Sequence, residues 1–145
     1  MIAPPRSTGW NRGSMMPRDL ISDVTLSAME KVLDSTAARQ RVIAHNIANV
    51  DTPGFTRRDV SFHDQLAQAL EGAEDHPLEA AARVAEAQPR TTADEGSPRR
   101  ADGNNVDIER EMSSLAQNNL EYEAAAEIIK TKLDMLRAAI SEGRK

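Results

Sequence analysis

The sequence predicts a mainly α-helical protein in which two long terminal helices pack antiparallel, as a helical hairpin or coiled coil, with a short extended segment and a disordered middle between them. Two observations predict this fold class. Apolar residues recur at alternating intervals of three and four in both terminal parts of the chain, which is the heptad pattern of helices that pack along one another. The middle is instead rich in proline, glycine, alanine and charged residues.

The composition argues against several classes of function. Only 3% of the 145 residues are aromatic and 28% are charged, so Ala, Leu, Ile, Val and Met must supply the packing. The net charge of −5 argues against nucleic acid as a partner. There is no cysteine for a disulfide or a thiolate metal site, and no cofactor is expected. No stretch approaches the roughly 20 apolar residues of a membrane span, so we expect no direct membrane insertion.

Residues 1–18 are predicted to form a disordered leader. They contain three prolines and two glycines but no apolar run, so they lack the hydrophobic region of a secretory signal peptide. Met15 and Met16 offer alternative translation starts to Met1.

Residues 19–51 are predicted to form the N-terminal helix. Its apolar seam is interrupted by Thr36 and Gln40, which either fix the register against a partner or lie in a solvent-exposed part of the seam. The other seam residues, which we predict to pack between subunits, are Leu26, Met29, Leu33, Ile43, Ile47 and Val50.

Residues 52–71 are predicted to contain a turn, a short extended segment and a short helix. The first helix stops because Pro53 disfavours helical geometry at Thr52, and because Gly54 readily takes a positive φ. An extended stretch at 55–62 follows, and the apolar spacing after it predicts one short helix.

Residues 72–103 are predicted to be a variable loop or linker, because they hold three prolines and three glycines among charged residues and alanines. His63 and His76 lie next to or within this segment, and His45 lies in the first helix. No two of them have the i, i+4 spacing of a helical metal site, so solvated histidines are expected.

Residues 104–145 are predicted to form the C-terminal helix, with Asp107 as N-cap and acidic residues in the first turn. Asn119 either sets the register or is tolerated within the seam. The seam residues predicted to pack between subunits are Ile108, Met112, Leu115, Tyr122, Ile129, Leu133, Leu136 and Ile140, and they are bordered by Leu120, Ile128 and Met135. So wide a stripe implies more than one packing partner, and the two terminal helices together are predicted to form one assembly domain.

The residues at the end of the first helix resemble the signature of the flagellar rod and hook family of axial proteins. The matching residues are Asn46, Ile47, Ala48, Asn49, Thr52, Pro53, Gly54 and Phe55. Further on, the run 102–107 and the pair Glu111 and Met112 resemble the proximal rod type more closely than the distal rod or hook type. Phe55 stands where the family usually has tyrosine. Asn46 and Asn49 either close the helix end or contact a neighbouring subunit.

The resemblance implies a non-enzymatic component of the bacterial flagellar basal-body rod, in its proximal part. Such a subunit polymerises through its terminal helices into the hollow drive shaft needed for motility. The implied partners are other rod proteins, further copies of the chain, the adaptor FliE and the region of the MS ring and export gate. The implied route is export by the flagellar type III apparatus, without a cleaved signal peptide, to the periplasmic rod.

Two other classes of protein fit the sequence less well. An enzyme needs a base, a nucleophile and an orienting group that converge, whereas the acidic residues of the predicted helices are expected on solvated faces. A cytosolic coiled-coil adaptor or export chaperone would also be acidic and helical, but it has no need of the asparagine-rich turn followed by Thr-Pro-Gly.

Overall fold

The computed structural model describes residues 17–142, with side chains from 24 to 141, and over this range the protein is mainly helical, as predicted. The helices are α1 (Pro17–Ala48), α2 (His63–Leu70), α3 (Pro77–Glu86) and α4 (Ile108–Glu142), and the strands are β1 (Arg58–Ser61) and β2 (Arg90–Ala93). The predicted disordered leader lies outside the described residues, except for residues 17 and 18, which belong to α1.

The two long helices are uninterrupted because neither contains an internal proline or glycine. α1 has 32 residues and α4 has 35, so they extend about 48 Å and 52 Å at 1.5 Å per residue. Pro17 lies in the first turn of α1, where its missing N–H costs no hydrogen bond. The predicted N-cap of α4 is confirmed, because the Asp107 carboxylate accepts the backbone N–H groups of Glu109 at 2.9 Å and Arg110 at 3.3 Å.

Side-chain hydrogen bonds between α1 and α4 show how the two helices lie relative to each other. The Asn118 amide donates to the backbone oxygen of Thr36 at 2.9 Å, and the Asn46 amide donates to the Glu111 carboxylate at 2.9 Å. Residue numbers therefore rise along α1 as they fall along α4, so the two helices run antiparallel where they touch.

The middle of the chain is folded, so the interpretation of residues 72–103 as a disordered linker is wrong. This segment contains α3 and β2. Pro77 lies at the start of α3 and Pro89 lies between α3 and β2, so these prolines mark element boundaries rather than disorder. The alanine-rich stretch between these prolines has one buried side, formed by Ala80, Val84 and Ala87 at helical spacing. Val84 and Ala87 on this side pack into the hydrophobic core.

The folded middle region packs along α1, with α2 and α3 against its first half and β1 beside its second half. Strands β1 and β2 pair antiparallel, with Arg58 opposite Ala93 and Ser61 opposite Arg90. Helices α2 and α3 lie between the two strands in sequence, and Arg83 of α3 donates to the backbone oxygens of Ala69 and Glu71 at the end of α2. The small hydrophobic core joins α1, α2 and α3, and its buried members are Ala28, Phe62, Leu66, Ala69 and Val84.

Of the helices in the described part of the chain, none combines the length and the apolar character that crossing a membrane would require.

Candidate functional site at the junction of the two long helices

The segment that ends α1 folds into a compact turn. The backbone oxygen of Asn46 accepts the N–H of Asn49 at 3.1 Å, and the oxygen of Asn49 accepts the N–H of Thr52 at 3.0 Å. Gly54 has φ of 71°, a conformation that other residues rarely adopt. The Phe55 ring packs at a tilt on the ring of His45, with 5.4 Å between centroids.

Asn104 holds this turn from the other half of the chain. The side chain is fully buried, and its amide nitrogen lies 2.9 Å from the oxygen of Asn49, 3.1 Å from that of Val50 and 2.8 Å from that of Thr52. Its side-chain oxygen accepts the N–H of Val106 at 2.7 Å. Asn104 thereby holds the turn that follows α1, since its amide lies within hydrogen-bond distance of three backbone oxygens of that turn.

Asn105 ties the two strands to the start of α4. Its side-chain oxygen accepts the N–H of Arg57 at 2.6 Å, and its amide donates to the oxygen of Asp94 at 2.6 Å. The N–H of Asp94 in turn donates to the oxygen of Arg57 at 2.8 Å. One asparagine side chain thus extends the strand pairing to the residues that flank β1 and β2.

Arg57 is the centre of the polar cluster at this junction. Its side chain is 2% exposed and donates to three carboxylates: Nε to Glu111 at 2.5 Å, Nη1 to Asp94 at 3.2 Å and Nη2 to Asp59 at 3.1 Å. Arg39 of α1 also pairs with Asp59, at 3.2 Å. A buried guanidinium needs such partners, because desolvating an unpaired charge is costly.

The second buried anchor of the cluster is the amide of Asn46. It donates to the oxygen of Arg58 at 2.7 Å and to the Glu111 carboxylate at 2.9 Å, while its own oxygen accepts the N–H of Arg58 at 3.0 Å. Glu111 is fully buried, which corrects the expectation that the acidic residues of the helices lie on solvated faces. Its two oxygens bridge Asn46 of α1 and Arg57 beside β1.

The pKa values in the cluster follow from this arrangement. Burial alone would lower the pKa of Arg57, but hydrogen bonds and charge interactions with Glu111 and Asp59 raise it overall. Burial would likewise raise the pKa of Asp59, but the N–H of Val60 and the charges of Arg39 and Arg57 lower it. The pKa of Asp94 is lowered first by the hydrogen bond from the nearby Ser97 hydroxyl. Arg57, Asp59 and Asp94 therefore all stay charged near neutral pH, and their ion pairs hold the junction together.

The histidines have no role in this cluster beyond the ring of His45 on Phe55. The side chain of His63 is 62% exposed, as expected for a solvated histidine, but its Nε2 also contacts the carboxylate of Glu121 on α4. Within the residues the structure describes, no three His, Asp or Glu side chains are grouped so as to hold a metal ion.

The structure brings together the family-like residues of both halves of the chain. Asn46, Asn49 and Thr52 meet Asn104 and Glu111. Of the two interpretations left open for Asn46 and Asn49, closure of the helix end fits Asn49, whose amide donates to the oxygen of His45 at 2.8 Å. The side chain of Asn46 instead bonds Arg58 and Glu111 within the subunit.

The two predicted seams have different environments. In α1, Ile43 is buried, whereas Leu26, Met29, Leu33, Ile47 and Val50 are partly buried. Thr36 is also buried, and Gln40 is exposed. In α4, Leu115 and Ile129 are partly buried and the rest of the seam is exposed, namely Ile108, Met112, Tyr122, Leu133, Leu136 and Ile140.

The side of α4 that faces inward carries a different set of residues. Glu111, Asn118 and Ala125 are 0%, 1% and 3% exposed, and they are spaced seven apart. We call these three residues the inner stripe. Sequence reasoning missed it because two of its members are polar, yet the heptad series that runs from Asn104 through all three was visible in the sequence.

This combination, two long helices joined by buried polar contacts with an apolar helical face left exposed, is typical of a structural helical protein that packs on other helices. The family model described as flagella basal body rod protein matches residues 33–56, which include the turn after α1. The FlgB rod protein of Bacillus subtilis strain 168 is 31% identical over 123 residues, covering 83% of this chain and 95% of that protein. Escherichia coli K12 FlgB is 29% identical over 133 residues, with 83% and 96% covered. Borrelia hermsii FlgB is 35% identical over 114 residues, with 70% and 84% covered.

The chain belongs to the FlgB family of flagellar basal body rod proteins. It is therefore a structural component of the flagellar basal body and is not an enzyme, since its relatives are named as rod proteins.

Proposed function

We propose that this subunit polymerises through its terminal helices with other rod subunits and with further copies of itself, and so builds the hollow drive shaft of the proximal rod. One observation carries the proposal. Nine of the ten large hydrophobic residues that are exposed in the described part of the chain lie on α4. Exposed apolar surface on this scale marks a binding face, because a free subunit gains nothing by hydrating it.

The spacing of these residues supports helices as the partners. With Asn119 and Ala126 included, the α4 seam keeps intervals of three and four from Ile108 to Ile140, which suits knobs-into-holes packing against neighbouring helices. Leu120, Ile128 and Met135 are also exposed, so neighbours would reach α4 from more than one side. The antiparallel hairpin of α1 and α4 then forms the inner unit of a larger coiled-coil wall.

The family resemblance supports the finer assignment. In this assignment, the flagellar type III apparatus exports the subunit without cleaving a signal peptide, and the subunit assembles in the periplasm. There it contacts the adaptor FliE and the region of the MS ring and export gate.

The test combines deletion of the gene with point variants on α4. Met112 and Leu136 are 53% and 47% exposed, so replacing each with aspartate leaves the isolated fold intact but places a charge in the seam. We expect Met112→Asp and Leu136→Asp to fail to restore motility and rods to the deletion strain, although the subunit is made and exported. The matched control is Thr131→Asp, an exposed polar position on α4 outside the seam.

Motility assays and electron microscopy of basal bodies measure the outcome. MS rings without rods in the deletion strain and in both seam variants, with normal rods in the control, support the proposal. Normal rods in both seam variants, or normal flagella in the deletion strain, contradict it.

A further inference from the structure

We infer that Glu111, supported by Asn118, is a positioning residue that fixes the rotation of α4 about its own axis so that the apolar seam faces outward. The inference deepens the proposed function and rests on it in one respect, namely that the outward seam is the assembly face. It concerns the question of why a helix with a strong apolar stripe does not bury that stripe within its own subunit.

The inner stripe is less apolar than the face left outside. The three most deeply buried side chains of α4 are one carboxylate, one amide and one alanine, whereas Leu115 and Ile129 of the seam are only partly buried. On an α-helix each residue advances about 100°, so Met112 lies roughly 100° from Glu111, and Tyr122 lies roughly 40° from Asn118. A modest rotation of α4 would therefore replace the inner stripe with seam residues, and the hydrophobic effect alone favours that rotation.

Glu111 opposes this rotation through its partners. Its carboxylate accepts from Arg57 at 2.5 Å and from Asn46 at 2.9 Å, and both partners are themselves buried. Turning α4 would withdraw the carboxylate from the buried guanidinium and carry its charge away from both donors. Charged hydrogen bonds in a buried site are demanding in direction and distance, so they define one rotation.

Asn118, which lies seven residues after Glu111, also opposes rotation of α4. Its amide reaches the oxygen of Thr36 at 2.9 Å, while its own side-chain oxygen has no partner among the described residues. Burying an oxygen without a partner is unfavourable. The position is therefore not optimised for stability of the subunit, which agrees with a role in setting orientation.

Tyr122 reports the rotation directly. It is the only tyrosine of the chain, it lies in the seam and it is 49% exposed. In a Trp10→Phe background, which removes the only tryptophan, tyrosine fluorescence quenching by acrylamide measures how accessible Tyr122 is. The measurement uses the full-length isolated subunit at a concentration where sedimentation shows a single species of monomer mass.

The variant is Glu111→Ala, which leaves Arg57 paired with Asp59 and Asp94. We expect α4 to turn its seam inward, so that the quenching constant of Tyr122 falls roughly twofold while helicity at 222 nm is kept. Glu111→Gln keeps one acceptor oxygen for Arg57 but loses the second oxygen, which accepts from Asn46, so its quenching constant should fall between those of the parent and Glu111→Ala. Glu109→Ala, which removes an exposed glutamate from the same helical turn, is the matched control.

The alternative results are distinct. Unchanged or greater accessibility of Tyr122 in Glu111→Ala, or loss of its helicity, would show that Glu111 only supports the fold, and would overturn the inference. A failure of the proposed assembly role appears elsewhere, as normal rods in the Met112→Asp and Leu136→Asp strains, because quenching is measured before any assembly.

Discussion

Removing the charge of Arg57 is the most informative test of what the polar cluster contributes to stability. Arg57→Met keeps an unbranched apolar side chain of similar reach but leaves three carboxylates without their shared cation. Two of these, on Asp59 and Asp94, are 30% and 18% exposed, so water can partly replace the guanidinium. Glu111 is 0% exposed and keeps only the neutral amide of Asn46.

The cost follows from that burial. Breaking a buried ion pair by deleting one partner typically costs about 3–5 kcal/mol, chiefly because the remaining charge is desolvated and unpaired. We therefore expect Arg57→Met to lower the free energy of unfolding by about 3–4 kcal/mol at pH 7, close to the lower end because two of the three carboxylates can be hydrated. The matched control is Arg39→Met, which breaks a pair whose side chains are 22% and 30% exposed, and which should cost less than about 1 kcal/mol.

Urea unfolding followed by circular dichroism at 222 nm measures both values. The difference in the free energy of unfolding between the parent and Arg57→Met should become smaller in acid. Arg57 helps to lower the pKa of Asp59 and of Asp94 below the ordinary value of 3.8. The resulting stabilisation is present above pH 3.8 and is lost as the pH falls through the lower pKa values of the folded state. A cost for Arg57→Met no larger than that for Arg39→Met would refute the argument, since burial would then make no difference.

Three further outcomes follow from the same geometry. Gly103→Ala should destabilise by about 1–2 kcal/mol, because Gly103 has φ of +80° and an added Cβ would lie 3.4 Å from Gly54, whereas Gly96→Ala, with no positive φ, should change little. Asn104→Ala should cost about 2–3 kcal/mol in urea unfolding, because it removes the buried donor to the backbone oxygens of the turn after α1, and Asn119→Ala at the exposed position should be near neutral. The parent protein should lose stability in thermal melts as pH drops below about 4, because the two aspartates with lowered pKa values become protonated, and constant stability down to pH 2 would contradict this.

Local patterns in the sequence predicted the long helices well. α1 and α4 follow from heptad spacing, from the absence of internal proline and glycine, and from the Asp107 cap, all of which act within a few residues. The turn after α1 followed from Pro53 and Gly54. These features depend on local geometry, which a sequence records directly.

The errors arose where distant contacts decide the outcome. The segment 72–103 looked disordered because proline, charge and alanine dominate it, but Ala80 and Val84 are fully buried by elements remote in sequence. Glu111 looked like a first-turn acid on a solvated face, and its burial depends on Arg57, which is 54 residues away. The pattern of apolar residues did not reveal the inner stripe of α4, because Glu111 and Asn118 are buried by specific hydrogen-bond partners and not by hydrophobic packing.

The wide sequence separation within the polar cluster also governs when the subunit can finish folding. The side chain of Asn46 bonds Glu111, 65 residues later. The oxygen of Asn49 accepts from Asn104, 55 residues later, and that of Thr36 accepts from Asn118, 82 residues later. As the chain emerges from the ribosome with its N-terminus first, α1 can pack on β1, α2 and α3 early, but its contacts with α4 must await the last third of the protein. Such non-local closure slows folding. The contacts between α1 and α4 therefore form only late in synthesis, and the fold of the subunit is completed at that stage.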